Sequence, residues 1–290
     1  MKISLRLRKA VAQSLGFFGL RVALGLVLLV IVFILADIGT KGSGVISWEF
    51  LSRPPRRGMT EGGIFPAIYG TLLVTLITAV LAVPLGMGAA VYLNEYAPKN
   101  RLTRLIRLSI RNLAGVPSIV YGLFGVILFV NIFKFGTSIL SAGLTLGLLT
   151  MPWTITASEE ALKTVPNSFR EGALALGATP WQCIRTNVLP YAVPGMLTGT
   201  ILGLARAAGE TAPIMFTGAA FALPILPQSI RDQFMALPYH LYIMATQHHD
   251  IATVRPLAYG TALVLIVLVL GLNLGAVLLR YRLRRRHKEY

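Results

Sequence analysis

The run Glu159-Glu160-Ala161-Leu162-Lys163-Thr164-Val165-Pro166-Asn167-Ser168-Phe169-Arg170-Glu171-Gly172-Ala173-Leu174-Ala175-Leu176-Gly177-Ala178-Thr179-Pro180-Trp181 reads as two short helices around a sharp turn. Gly177 has the place of the glycine that takes a left-handed conformation just past a helix end. Thr179 can cap the second helix, with Pro180 at its first position, where a missing N–H is no loss. Asn187-Val188-Leu189-Pro190 closes that helix where the next apolar run begins. Gly172, Ala173 and Ala175 give the first helix a tip of small side chains, which lets another protein surface approach its backbone.

Outward from this hairpin the chain turns apolar on both sides. Six runs stand out: Leu20–Ile38, Tyr69–Tyr92, Gly115–Asn131, Ser138–Ala157, Tyr191–Thr217 and Pro256–Leu279. A helix crossing the bilayer core needs about 20 mostly apolar residues, and in hydrocarbon every backbone N–H and C=O must be paired within the segment. The expected fold is therefore an all-α integral membrane protein with six transmembrane helices. Pro84, Pro117 and Pro152 within the runs mark kinks that a bundle tolerates. The short connection near Lys134 implies a tight helical hairpin between the third and fourth runs.

Composition agrees. Of 290 residues, 55% are hydrophobic and only 13% charged, with a mean hydropathy of +0.69. A soluble domain carries about 25% charge, so a disordered chain, a nucleic-acid-binding tail and an ordinary cytosolic enzyme are all excluded. The single cysteine, Cys183, rules out an internal disulfide framework or a cysteine metal cage and reads as a packing residue. Lys2, Arg6, Arg8 and Lys9 precede the first run as in a signal peptide, but that run is too long and lacks a small-residue cleavage site, so it reads as a retained helix.

The net charge of +16 sorts by loop. With the N-terminus inside, nineteen basic residues fall in inside segments and seven outside, leaving Arg206 within a span. Basic residues mark cytoplasmic loops, so both termini and the hairpin are expected in the cytoplasm. Two outside loops are long, Gly39–Pro66 and Gly218–Arg255, which suits partner binding. In the second, Ile230–Met235 reads as a short interfacial helix, and His240 as a loop residue. Trp153 and Trp181 read as interfacial anchors.

The hairpin resembles the EAA loop of ABC-type importer permeases. Glu171-Gly172-Ala173, three residues, Gly177, nine residues, then Asn187-Val188-Leu189-Pro190 keeps that loop's spacing, with Gly172 for the middle Ala and Asn187 for Ile. The resemblance widens at Glu61-Gly62-Gly63-Ile64-Phe65-Pro66-Ala67-Ile68-Tyr69-Gly70-Thr71-Leu72, Tyr92-Leu93-Asn94-Glu95-Tyr96, Gly115-Val116-Pro117-Ser118-Ile119-Val120-Tyr121-Gly122 and Ala205-Arg206-Ala207-Ala208-Gly209-Glu210-Thr211-Ala212-Pro213. Together these are similar to the PstA family, permease subunits of phosphate importers with the type I (MetI-like) permease fold.

That resemblance implies a site and partners. Glu171, Gly172, Ala173, Gly177, Leu189 and Pro190 would form the loop that couples to an ATPase. The partners would be a second homologous permease subunit, two ATPase subunits and an outside phosphate-binding protein, with the chain in a bacterial or archaeal cell membrane. No cofactor or metal is implied. The implied layout is 1–66 for the basic segment, first helix and first outside loop, 67–279 for the permease core with its coupling loop at 158–190, and 280–290 for a basic tail.

Arg206 and Glu210 are charges inside a span, where insertion costs roughly 2.5–3.5 kcal/mol each. Four residues apart on a continuous helix, they would share a face. They read either as a structural ion pair or as part of a substrate path. In the second reading Arg206 offers planar hydrogen bonds to phosphate oxygens, and Glu210 accepts from a P–OH that sulfate lacks. Thr211 would add a hydroxyl, although a threonine in a span often bonds its own helix carbonyl. No G-x-x-x-x-G-K-[ST] loop occurs, so ATP hydrolysis must reside in a partner.

Alternatives remain a permease for sulfate, molybdate or phosphonate, a self-sufficient channel or secondary transporter, and a membrane scaffold or sensor. His248-His249-Asp250 is too compact to converge on one metal ion.

Overall fold

The computed structural model describes residues 5–286. Lys2 and Lys288, counted above with the inside charges, lie outside the described residues.

The chain opens with α1 (Leu5–Ser43), about 58 Å of continuous helix at 1.5 Å per residue. Its apolar side chains from Leu15 to Leu35 are exposed. Near its end Gly42 passes so close to α12 (Ile251–Arg286) that a Cβ there would sit 2.7 Å from the Tyr259 carbonyl oxygen. A short helix, α2 (Trp48–Ser52), and a two-stranded ribbon, β1 (Pro55–Arg56) against β2 (Glu61–Gly62), lead into α3 (Phe65–Val91). The helix α3 continues as a π-helical turn, Tyr92–Tyr96.

The central pair is α3 with α6 (Ile139–Lys163). Glycines let these two helices cross closely. A Cβ on Gly143 would lie 2.5 Å from the Ile77 side chain, and one on Gly86 would lie 2.7 Å from Thr154. The buried hydroxyls of Thr71, Thr75, Thr78, Thr145 and Thr150 each donate to a carbonyl four residues back, so none is orphaned. Against α6 lies α9 (Leu189–Ala208), and α12 packs on α9, α1 and α11 (Leu237–Thr246).

Among the described residues, five helices are long and apolar enough to cross a membrane. The third expected span is the exception. The helix α5 (Ser118–Gly125) with its π-helical continuation to Ile132 covers only about 22 Å at 1.5 Å per residue, short of a hydrocarbon core of about 30 Å. Before it, α4 (Arg101–Leu113) is bent away by 101°, so the two make a sixth span only as a broken pair. Arg101, Arg104, Arg107 and Arg111 recur at helical spacing, with exposed Leu102, Leu105 and Ile106 between them, so α4 is an amphipathic helix rather than a loop. Asn100 caps it, accepting from the Thr103 N–H at 2.9 Å.

The fifth expected span is also broken. Its helix ends at Ala208, Gly209–Thr211 is irregular, and α10 (Ala212–Thr217) follows.

Ile230–Met235 is not a helix. Instead the Ile230 and Asp232 carbonyls accept from the Leu140 and Ile139 N–H groups, 2.9 and 3.0 Å away. They thus satisfy donors that the first turn of α6 cannot pair itself. Phe234 and Met235 are fully buried, and a Cβ on Gly70 of α3 would strike the Met235 carbonyl. His240 is likewise no loop residue: it lies in α11, buried, and its Nδ1 has no hydrogen-bond partner among the described residues. Burial pushes its pKa down to about 4.

Candidate functional site

Two regions hold the expected site residues. The first is α7 (Asn167–Ala175) and the turn after it. Gly177 has φ +84°, the Gly177 N–H donates to Leu174 O at 3.0 Å, and the Ala178 N–H donates to Ala173 O at 3.1 Å. That pair of bonds is the Schellman closure expected of a glycine at this position. Thr179 and Gln182 then form a reciprocal capping box at the start of α8 (Pro180–Cys183), with Pro180 in its first turn. This second helix does not close at Leu189-Pro190. It runs through a π-helical turn, Ile184–Val188, straight into α9.

The hairpin residues divide between its two faces. Glu171, Gly172, Leu174, Ala175, Leu176 and Gly177 are exposed, and a Cβ on Gly172 would meet nothing within 4 Å. Leu176 is 91% exposed, a large apolar side chain standing in solvent at the tip. Ala173 points the other way, buried in a cluster with Cys183, Val188 and Leu162, against which Leu189 also packs. Pro190 is half-buried at the start of α9. The sequence reading put Ala173 on the exposed tip and overlooked Leu174 and Leu176.

Arg170 was also overlooked as a contact. Its Nε and Nη2 donate to Glu95 Oε2 and Oε1 at 3.0 and 2.7 Å, its Nη1 to Val165 O at 2.9 Å, and Nη2 also to Leu162 O at 3.2 Å. The Glu95 side chain is 8% exposed. Nearby, Arg107 of α4 pairs with buried Glu159 of α6 at 3.0 Å and donates to Leu93 O. The only local signal for either pair is a carboxylate at the end of, or within, an apolar helix.

The second region is the α9 break. Arg206 sits in the last turn of α9 and Glu210 just past its end, so they do not share a helix face as expected. They nevertheless meet: Arg206 Nε lies 3.3 Å from Glu210 Oε1. The Arg206 side chain is 48% exposed and that of Glu210 15%. Among the described residues the Arg206 Nη groups take no hydrogen bond. The guanidinium lies 5.2 Å from the Trp153 ring centroid, a cation–π contact. Trp153 stands ten residues before the end of α6, near the middle of that helix. The positive charge and the break therefore lie level with the middle of α6. Among the described residues Thr211 Oγ1 makes no hydrogen bond, which leaves its hydroxyl available beside Glu210.

Irregular backbone at membrane depth is tolerated only where protein covers it or a water-filled cavity receives it. Chemically, the break presents an incompletely used guanidinium, a carboxylate and a hydroxyl.

His248 and Asp250 serve structure. His248 lies 2.7 Å from Gly58 O, and Asp250 accepts from Thr253 at the start of α12, which holds its carboxyl below the usual range.

Comparison with known proteins fits this picture. Residues 82–289 match the family described as binding-protein-dependent transport system inner membrane component. The chain is 33% identical over 273 residues to the probable ABC transporter permease protein YqgI of Bacillus subtilis, covering 90% of this chain and 92% of that protein. It is 34% identical over 287 residues to the phosphate transport system permease protein PstA 1 of Mycobacterium tuberculosis, covering 98% and 91%. In fold it resembles a chain of a bacterial alginate ABC transporter, with a TM-score of 0.65 at 14% identity over 96% of this chain and 99% of that one. It also resembles a chain of the MetNI methionine ABC transporter, with a TM-score of 0.61 at 19% identity over 75% and 94%. A hairpin with an exposed tip, a broken charged span and a match over most of the chain lead to one assignment: this multi-pass membrane protein belongs to the binding-protein-dependent transport system inner membrane component family and is an ABC importer permease.

Proposed function

We propose that this permease imports inorganic phosphate and draws its energy from an ATPase seated on the tip of α7. The half-exposed, incompletely bonded Arg206 guanidinium at the α9 break carries this reading. A guanidinium binds phosphate oxygens through paired, charge-assisted hydrogen bonds. Glu210 limits how tightly the anion is held, because it competes for Arg206, and a transport site must release what it admits. Phosphate near neutral pH carries a proton on one oxygen, from which Glu210 can accept. Sulfate has none to offer and meets an uncompensated carboxylate, so the site discriminates by repulsion. Thr211 supplies a neutral donor. The relatives named for phosphate transport support the same substrate.

The N- and C-termini and α7 lie in the cytoplasm, following the excess of basic residues at that end. A second homologous permease completes the path, two ATPase subunits grip the exposed hairpin faces, and an outside phosphate-binding protein delivers the anion. Glu171, Gly172, Leu174 and Leu176 form the gripped surface, while Ala173, Leu189 and Pro190 fasten the hairpin to the bundle. ATP enters the cycle as a difference in the ATPase pair's affinity for the inward- and outward-open permease.

The test is ATP hydrolysis by the reconstituted complex, with binding protein loaded with phosphate or supplied with sulfate. Phosphate is expected to stimulate hydrolysis and sulfate is not. Equal stimulation by both, or none by phosphate, contradicts the reading.

A further inference from the structure

Between α6 and α7 the chain turns at Thr164-Val165-Pro166, and between α7 and α8 at Gly177, so α7 hangs from the bundle by two joints. A segment hung this way would swing when pulled and leave the spans where they were. The packing of Ala173 against Leu162 and Cys183 opposes that, and one guanidinium adds a polar tether. Arg170 reaches back across the first joint to the Leu162 and Val165 carbonyls at the end of α6, and sideways to Glu95 at the end of α3. The fork of five donors on arginine can serve several acceptors at once, which a lysine ammonium cannot do with the same geometry. Glu95 is held in turn by the Asn94 amide at 2.7 Å and sits in the π-helical turn Tyr92–Tyr96. Leu93 of that turn is gripped by Arg107, which pairs with Glu159 of α6.

We infer that Glu95 and Arg170 are a positioning pair through which displacement of α7 is transmitted to the central helices α3 and α6. The inference rests on the proposed ATP-driven cycle and names the residues that carry its motion. Separating this largely covered, doubly bonded ion pair leaves two charges without partners. Displacing α7 alone is therefore unfavourable, and the hairpin, α3 and the end of α6 move as one body. The residues used for docking, Glu171, Gly172, Leu174 and Leu176, begin one residue beyond Arg170 but are exposed, whereas the Glu95 carboxylate is covered. Docking and transmission are thus separable.

The reconstituted complex, with its ATPase and binding protein, tests the pair. Wild type, Arg170→Lys and the neutral double variant Glu95→Gln/Arg170→Gln are compared for ATPase content, basal hydrolysis and stimulation by loaded binding protein. The double variant should retain wild-type ATPase content and basal hydrolysis, while stimulation falls about tenfold, within the usual range of coupling between sites. Arg170→Lys, which keeps the charge and loses the fork, should fall in the same direction. A pair that merely stabilised the fold would behave differently: the double variant, free of a lone buried charge, would regain full stimulation, and that result overturns the inference. Loss of ATPase from the double variant also overturns it, since docking would then depend on the pair. A wild-type complex that holds no ATPase would instead sink the proposed function, and this inference with it.

Discussion

The chain contains two arginine–glutamate pairs that are built differently. Arg170 and Glu95 lie 75 residues apart in sequence, share two hydrogen bonds of 2.7 and 3.0 Å and are mostly buried. Arg206 and Glu210 are neighbours in sequence, touch through one bond of 3.3 Å and leave the arginine half-exposed. A pair with four guanidinium donors and both carboxylate oxygens engaged has little left for a ligand and is suited to hold segments together. A loose pair at a helix break retains donors and can exchange its partner for an anion. On the proposed reading, the same two residue types therefore serve force in one place and substrate in the other.

The largest contrast is expected in stability. Removing one partner of the tight pair, as in Glu95→Gln, should destabilise the permease by about 1.5–3 kcal/mol, the size of lost charged hydrogen bonds, because Arg170 keeps some contact with solvent. Glu210→Gln should change it by less than about 1 kcal/mol, as is usual for partly exposed pairs. Thermal melting of the purified permease compares them, and equal losses would erase the distinction.

Docking comes next. Because a Cβ at Gly172 meets nothing within 4 Å, Gly172→Trp is compatible with the fold. It should weaken ATPase retention by about thirtyfold, the size of a 2 kcal/mol hot-spot loss. Co-purification measures this, and melting should be unchanged.

A smaller effect concerns selectivity. Glu210→Gln removes the charge that repels a fully deprotonated anion, so preference for phosphate over sulfate should shrink by about tenfold, or roughly 1.4 kcal/mol. Competition of sulfate against radiolabelled phosphate uptake reads it directly.

A further effect is a pH signature separate from both pairs. The folded protein keeps buried His240 neutral down to about pH 4, while an unfolded histidine takes up its proton near 6.5. Stability from this group is whole above about pH 6.5 and declines as pH falls toward 4. Melting temperatures between pH 7.5 and 5 should show that slope in wild type and a reduced slope in His240→Leu.

Local chemistry made part of this legible. The long apolar runs foretold α1, α3, α6, α9 and α12, and Gly177 with Thr179-Pro180 foretold the hairpin turn to the residue. Hydropathy could not show the break after Ala208, because Ala207-Ala208-Gly209 and Ala212-Pro213 are as apolar as a continuous helix. Nor could it separate α4 from a basic loop, since the arginines mask the helical spacing of Leu102, Leu105 and Ile106. Ile230–Met235 has a helical pattern, but its conformation is set by the unpaired N–H groups of α6 that it covers. The tight pair was invisible for a simpler reason: only folding brings Glu95 to Arg170. The loose pair was visible as two charges in an apolar run, although its geometry differs from that of a continuous helix.

The division of labour between the pairs is tested most directly by phosphate uptake into proteoliposomes carrying the Arg206→Ala complex. The account predicts wild-type ATPase content and unchanged melting, with phosphate uptake reduced by about a hundredfold, as for lost charged hydrogen bonds worth roughly 1.5–3 kcal/mol. Uptake at the wild-type rate by a fully assembled Arg206→Ala complex would contradict it.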